Sequence, residues 1–223
     1  MNDGKIVIVA GKSRSGKTVF VNESIKSKPR LLIWDIEDQY PQGKKIQSLA
    51  ALIHAIKHDV QKLRFVPLAS IPLALQFEFF CEAGFIMGQK CAVQGIESTI
   101  VVEETSDVTH PGKAPASWGT LIRRGLKKGI SIYAISQRIA ESDKTAIGNA
   151  SIVHCCALAL PNDIRTMSQV LRVSFDEIDS LVSDEEKGHY EYFQRNINTN
   201  VTQKGVLTFP RKNPFFLQFP LKT

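Results

Sequence analysis

Residues 11–18 read Gly11-Lys12-Ser13-Arg14-Ser15-Gly16-Lys17-Thr18, a complete GxxxxGK[ST] pattern. Glycines at that spacing let backbone N–H groups converge on phosphate oxygens, the lysine reaches the β- and γ-phosphates, and the following hydroxyl can ligate Mg²⁺. The pattern predicts a nucleotide-binding segment made of Gly11, Lys12, Ser13, Arg14, Ser15, Gly16, Lys17, Thr18 and Val19, with Lys17 also acting in catalysis and Thr18 on the metal. Downstream, the apolar run Ile100-Val101-Val102 ends in Glu103-Glu104. A carboxylate at Glu103 would reach a water of the Mg²⁺ shell, and Glu104 would orient and polarise an attacking water. Most such strands carry Asp at the first of these positions. Glutamate is one methylene longer, so its metal contact is expected to run through water. The third chemical group is Gln137, after the run Ile130–Ile135. A neutral amide there could hydrogen-bond both a γ-phosphate and the lytic water.

These groups need elements that hold them at one place. Ile6-Val7-Ile8-Val9-Ala10 reads as a buried strand leading into the phosphate loop, and a helix follows to about Lys26. Strands are expected at Leu31–Ile36, Leu63–Val66, Ile100–Val102, Ile130–Ile135 and Ile152–Leu160. Helices are expected around Leu49, Leu52, Ile53 and Ile56, from Ser70 and Pro72 through Met87, around Trp118–Lys128, and from Pro161 to about Arg172. Ser174-Phe175-Asp176-Glu177 is a capping-box signal for one more. Strands alternating with helices argue for a mostly parallel sheet with helices on both faces. In such sheets, ligands bind outside the carboxyl ends of the strands, where all three chemical groups would fall. Tyr190–Gln194 and Val206–Phe209 flank a polar stretch and suggest a hairpin with a long loop. Beyond it runs a tail with Pro210, Pro214, Phe215, Phe216, Phe219 and Pro220. We therefore divide the chain into a core of residues 1–185 and a C-terminal hairpin and tail of residues 186–223, part of the same domain or an arm that binds a partner.

Hydrophobic residues make up 43% of the 223, enough for a full core, and no uninterrupted apolar stretch matches a membrane span. The N-terminus leads straight into the first strand, so no signal peptide is expected. Cys81, Cys91, Cys155 and Cys156 lack CxxC spacing and read as reduced core residues. The net charge is +6 with a pI near 9.1, compatible with a polyanionic partner. Arg123, Arg124, Lys127 and Lys128 cluster in one expected helix, as a solvated face or as a contact surface. His110 and His154 need no functional role.

The order and spacing resemble the FtsK–HerA superfamily of DNA-pumping ATPases. The resemblance is carried by Leu121-Ile122-Arg123-Arg124-Gly125-Leu126-Lys127-Lys128-Gly129-Ile130, Ile135-Ser136-Gln137-Arg138, Asn149-Ala150-Ser151 and Asn162-Asp163-Ile164-Arg165-Thr166, within a match over about residues 5–172. It implies a P-loop NTPase fold of the RecA-like type, Mg²⁺-dependent ATP hydrolysis, and a homo-oligomeric ring, taken as a hexamer, acting on double-stranded DNA without regard to sequence. The short length and missing membrane segment look most like the packaging ATPases of tailless, internal-membrane icosahedral phages. That implies host cytoplasm and the virion's packaging vertex as locations, with a capsid-vertex protein as partner.

Many relatives carry an arginine where this chain has Leu126, and it would act in trans on the neighbour's γ-phosphate. Arg123, one turn earlier on the same face, is the first substitute, Arg124 the next, and Arg165 a further candidate. Lys44-Lys45 and the Thr105–Lys113 loop are conceivable DNA contacts. The Phe/Pro tail would either dock on a partner or pack back on its own domain. Three other readings compete: a cellular or plasmid-borne translocase or helicase of the same superfamily, a nucleotide-dependent assembly factor that moves no DNA, and a small-molecule kinase. The last is disfavoured because no Arg-rich lid stands out.

Overall fold

The computed structural model describes residues 4–112 and 114–209. Its frame is a row of short apolar strands. β1 (Ile6–Ala10), β2 (Arg30–Trp34) and β5 (Ser98–Val102) are buried at every position, and β6 (Ile130–Ser136) nearly so. Such Val/Ile/Leu-rich runs suit a parallel sheet covered on both faces. With β3 (Lys44–Ile46), β4 (Lys62–Phe65), β7 (Ile152–Cys156), β9 (His189–Asn196) and β10 (Val201–Thr208), they form one sheet in the order β10-β9-β7-β1-β6-β5-β2-β4-β3. β8 (Ser183–Asp184) pairs β9 alongside. Every pairing from β7 to β3 is parallel, and β9 and β10 join antiparallel.

Alternation along the strands separates two cores. Ile6, Ile8, Leu32, Trp34, Ile100 and Ile132 face the larger one. It is covered by α2 (Leu49–Lys57), α3 (Leu73–Val93), α5 (Ala116–Gly125), α6 (Lys144–Gly148), α7 (Pro161–Leu171) and α8 (Phe175–Asp179). Trp34 anchors it, with the rings of Phe65, Phe77 and Phe80 at 5.7, 5.2 and 5.3 Å. The opposite face, with Val7, Val9, Leu31 and Ile33, is covered by Val21 and Ile25 of α1 (Lys17–Ile25). Pro161 opens α7, and the Ser174/Glu177 capping box starts α8, as their residue types dictate.

Three expectations are corrected. β7 stops at Cys156 instead of continuing to Leu160, because the Ala157 carbonyl leaves the ladder to accept the Lys12 N–H at 2.8 Å. The hairpin has long strands and a short turn at residues 197–200, the reverse of the expected long loop. Its polar residues pair along an exposed edge, and the Asn196 side chain accepts the N–H groups of Asn198 and Thr199 to tighten the turn. Residues 105–108 form a one-turn helix, α4 (Thr105–Val108), within the Thr105–Lys113 stretch read as a loop. The strand β3 was not foreseen; two lysines in three residues hid it. The Phe/Pro tail lies outside the described residues.

Candidate active site

The parallel strands end in Ala10, Trp34, Val102, Ser136 and Cys156, and each hands its chain to the same edge of the sheet. A cavity of about 360 Å³ opens there, lined by Ser13 to Val19 and by Glu37, Gln39, Glu103, Glu104, Gln137, Glu185 and Tyr190. Gly11 and Lys12 are not among the lining residues. The Gly11 N–H donates to the Ser136 carbonyl at 3.3 Å, tying the loop to β6.

Gly16 caps α1 at φ 97°, in the left-handed region that favours glycine. A Cβ there would meet the Tyr190 ring at 2.7 Å. No side chain caps α1, so its first-turn N–H groups are available to phosphate oxygens. Lys17 is only 6% exposed, and its Nζ donates to the Lys12 carbonyl at 2.9 Å, as the Ser15 hydroxyl does at 2.8 Å. Burial lowers the Lys17 pKa, while Glu104, Cys156, Glu103 and Glu37 oppose that shift.

Glu103 is 3% exposed and carries an excess of negative surroundings. Burial pushes its pKa up to about 8, and Asp35, Glu104 and Glu37 push in the same direction against Lys17. Its Oε1 accepts from Gln39 Nε2 at 3.4 Å, but its buried Oε2 has no hydrogen-bond partner among the described residues. An orphaned carboxylate oxygen near the half-buried Thr18 of the phosphate loop fits a hydrated cation, so Thr18 and Glu103 suit Mg²⁺. Glu104 sits at φ 46°, an uncommon conformation for a non-glycine residue. Its Oε2 accepts the Gln137 N–H at 3.2 Å and its Oε1 accepts Gln137 Nε2 at 2.8 Å.

The structure therefore brings Lys17, Thr18, Glu103, Glu104 and Gln137 to one pocket. Arg123 and Arg124 lie elsewhere, near the end of α5, where the chain turns into the amino end of β6. Arg165, on α7 after β7, is not among the residues lining the pocket, and its Nη1 donates to Asn162 Oδ1 at 3.2 Å. Lys45 pairs with Asp38.

Four lining residues were missed: Glu37, Gln39, Glu185 and Tyr190. Glu37 and Gln39 were findable, since an acid-rich loop follows β2 at the carboxyl edge. Asp35, fully buried, shapes that loop by accepting the Gln39 N–H at 2.9 Å, the Tyr40 N–H at 3.2 Å and Arg64 Nη1 at 3.0 Å. Glu185 and Tyr190 enter from the C-terminal hairpin region, and Glu185 forms an ion pair with Arg14 at 3.7 Å. Nothing local in their sequence marks them.

No family model matches the chain. It is 31% identical to protein P9 of Pseudoalteromonas phage PM2 over 205 residues, which cover 91% of this chain and 90% of that protein. The chain belongs to the protein P9 family. Its fold is the P-loop NTPase fold that the sequence resemblance implies, a mostly parallel sheet with helices on both faces. Its fold is shared with the genome-packaging NTPase B204 of Sulfolobus turreted icosahedral virus 2, solved with AMPPCP. The TM-score is 0.72 at 15% identity, covering 92% of this chain and 97% of that one. The cytoplasmic domain of the Thermomonospora curvata type VII secretion ATPase EccC matches at TM-score 0.57 and 9% identity, over 92% of this chain and 25% of that one. Among the described residues, no helix is long and apolar enough to cross a membrane.

Proposed function

We propose that this P9-family chain hydrolyses ATP with Mg²⁺ and uses the energy to drive double-stranded viral DNA into a preformed capsid. The observation that carries the chemistry is the convergence of Lys17, Glu103, Glu104 and Gln137 on one pocket of about 360 Å³. Lys17 and the α1 N-terminus would hold the β- and γ-phosphates. Mg²⁺, held by Thr18 and through water by Glu103, would offset phosphate charge. Glu104 would take the proton of the attacking water, with Gln137 aiming its carboxylate. The DNA role is supported by a fold shared with structures whose titles describe genome or DNA packaging.

A homo-oligomeric ring, hexameric by analogy with superfamily motors, would place the pocket against a neighbouring subunit. Its Arg123 or Arg124, or failing those Arg165, would stabilise transition-state charge in trans. Residues 1–185 would be the ATPase core, and residues 186–223 a hairpin and arm for a capsid-vertex protein. The protein would work in the host cytoplasm and at the virion's packaging vertex. The test is steady-state ATP hydrolysis with and without long double-stranded DNA, at low and high salt. Salt-sensitive stimulation by DNA of any sequence supports the reading. Nucleotide binding with no turnover under any condition, on capsids included, would leave an assembly switch instead.

A further inference from the structure

At the other end of β6 from Gln137 lies a second recess, of about 380 Å³, walled by Phe85, Gln89, Arg123, Arg124, Lys127 and Lys128. We propose that this recess, between α3 and the C-terminal end of α5, grips the phosphodiester backbone of double-stranded DNA. The proposal rests on the reading above that the chain acts on DNA, and it names where.

The four cations fall within six residues, and all four side chains are exposed. None forms an ion pair among the described residues, whereas nearby Lys90 and Arg30 are both matched by Asp59. Like charges one turn apart repel by a few tenths of a kcal/mol per pair. An uncompensated cluster of this kind is relieved by a polyanion. Packing, not carboxylates, holds the two guanidinium groups. The Arg124 guanidinium carbon lies 5.9 Å from the centre of the Phe85 ring. Arg123 folds back on its own helix, so that a Cβ at Gly119 would sit 2.9 Å from its Nη2. Whichever of the two is not committed to a neighbour's nucleotide keeps its donors for DNA phosphate oxygens, beside Lys127 and Lys128.

The dimensions agree. Five steps along α5 and the 3₁₀ turn that follows it advance the chain about 8–9 Å at roughly 1.5–2.0 Å per residue. Consecutive phosphates of one DNA strand advance about 3.4 Å along the helix axis, so the stripe matches two to three of them. Phosphate contacts of this kind fix position without reading bases, as a motor that must accept any sequence requires. The recess also adjoins the start of β6, whose far end delivers Gln137 to the nucleotide. DNA and γ-phosphate would thus meet opposite ends of one strand.

The lysines are the test positions because neither has a part in the proposed hydrolysis. The full chain, with a non-hydrolysable ATP analogue, is titrated into a labelled random-sequence duplex over a salt series. Three proteins are compared: wild type, Lys127→Glu/Lys128→Glu, and a control with the same charge change elsewhere, Lys57→Glu/Lys144→Glu. The recess variant should bind at least tenfold more weakly, and its log–log salt slope should be shallower by about 2, near 0.9 per lost phosphate contact. Its nucleotide affinity and DNA-free turnover should match wild type. A neutral Lys127→Gln/Lys128→Gln variant guards against effects of the introduced acids and should show the same slope change.

If wild type binds and the recess variant binds equally, the recess proposal fails while the DNA-motor reading stands. If the control loses as much as the recess variant, net charge alone is responsible and the proposal also fails. If poly-glutamate occupies the recess as tightly as DNA, the surface docks an acidic protein instead. If wild type itself binds no duplex at low salt, the DNA-motor reading and the recess proposal fall together.

Discussion

Gln137 holds both carboxylate oxygens of Glu104, one with its main-chain N–H at 3.2 Å and the other with its side-chain amide at 2.8 Å. The two residues stand 33 positions apart and meet because β5 and β6 are parallel neighbours ending at the same edge. A carboxylate gripped this way has a fixed direction. Removing its basicity should separate binding from chemistry. Glu104→Gln is expected to keep nucleotide affinity and lose turnover by about 10²–10⁴-fold, the usual worth of a positioned general base. Gln137→Ala should keep binding and lose less. Nucleotide titration alongside steady-state hydrolysis checks both, and normal turnover in Glu104→Gln would refute the assignment.

Lys17 is the pocket's buried cation, facing Glu104, Glu103 and Glu37. Lys17→Ala removes the charge that a triphosphate would displace from the Lys12 carbonyl. Losing one partner of a desolvated charge pair costs about 2–5 kcal/mol, so affinity should fall by roughly 30-fold or more. Calorimetric titration with ATP and Mg²⁺ measures this directly.

Gly16→Ala faces two obstacles: a φ of 97° and a Tyr190 ring atom 2.7 Å from the new Cβ. We expect a loss of about 1–3 kcal/mol in stability, read from denaturant unfolding, together with weakened nucleotide binding. Adding Tyr190→Ala removes the clash but not the backbone strain, so it should restore only part of the loss. Full restoration would mean that the backbone angle is unimportant.

His154 is fully buried, stacked on Phe20 at a centroid distance of 3.7 Å, with its Nδ1 3.3 Å from Gln194 Oε1. Burial pulls its pKa down to about 4 from 6.5, against the opposing Gln194 contact. The unfolded chain therefore binds a proton that the folded chain refuses. Stability from this group is complete above pH 6.5 and is lost as pH falls toward 4. At about 1.4 kcal/mol per pKa unit, the loss comes to roughly 3.5 kcal/mol. His154→Phe keeps the stack and should flatten this part of the stability–pH curve. An unchanged curve would remove His154 as its source.

Arg123 and Arg124 lie outside their own subunit's pocket, so a hydrolytic role for them requires a neighbour. Mixing Arg123→Ala subunits with Lys17→Ala subunits should recover part of the activity if each supplies what the other lacks. Absence of recovery in proven mixed assemblies would count against trans completion by Arg123.

The phosphate loop, the Glu103-Glu104 strand end and the Gln137 strand end were legible because each depends on local sequence. The loop needs residue types at fixed spacing, and a buried parallel strand announces itself as an uninterrupted apolar run. The alternation of such runs with helices also fixed the layered architecture and the edge on which the site would lie. The rest depended on contacts between distant segments. Tyr190 reaches Gly16 only because β9 adds antiparallel to β7, and the polar, edge-exposed strands of that hairpin leave little hydrophobic pattern to read. The Glu104–Gln137 grip depends on strand order and register. The rise in the Glu103 pKa comes first from its burial and then from Asp35, Glu104 and Glu37 gathering beside it, since burial and neighbouring charge are properties of assembled space. Sequence alone set which chemical groups stand at the strand ends; tertiary packing decided which of them share a pocket, because hydrogen bonds and Coulomb interactions act over ångströms and not over sequence separation.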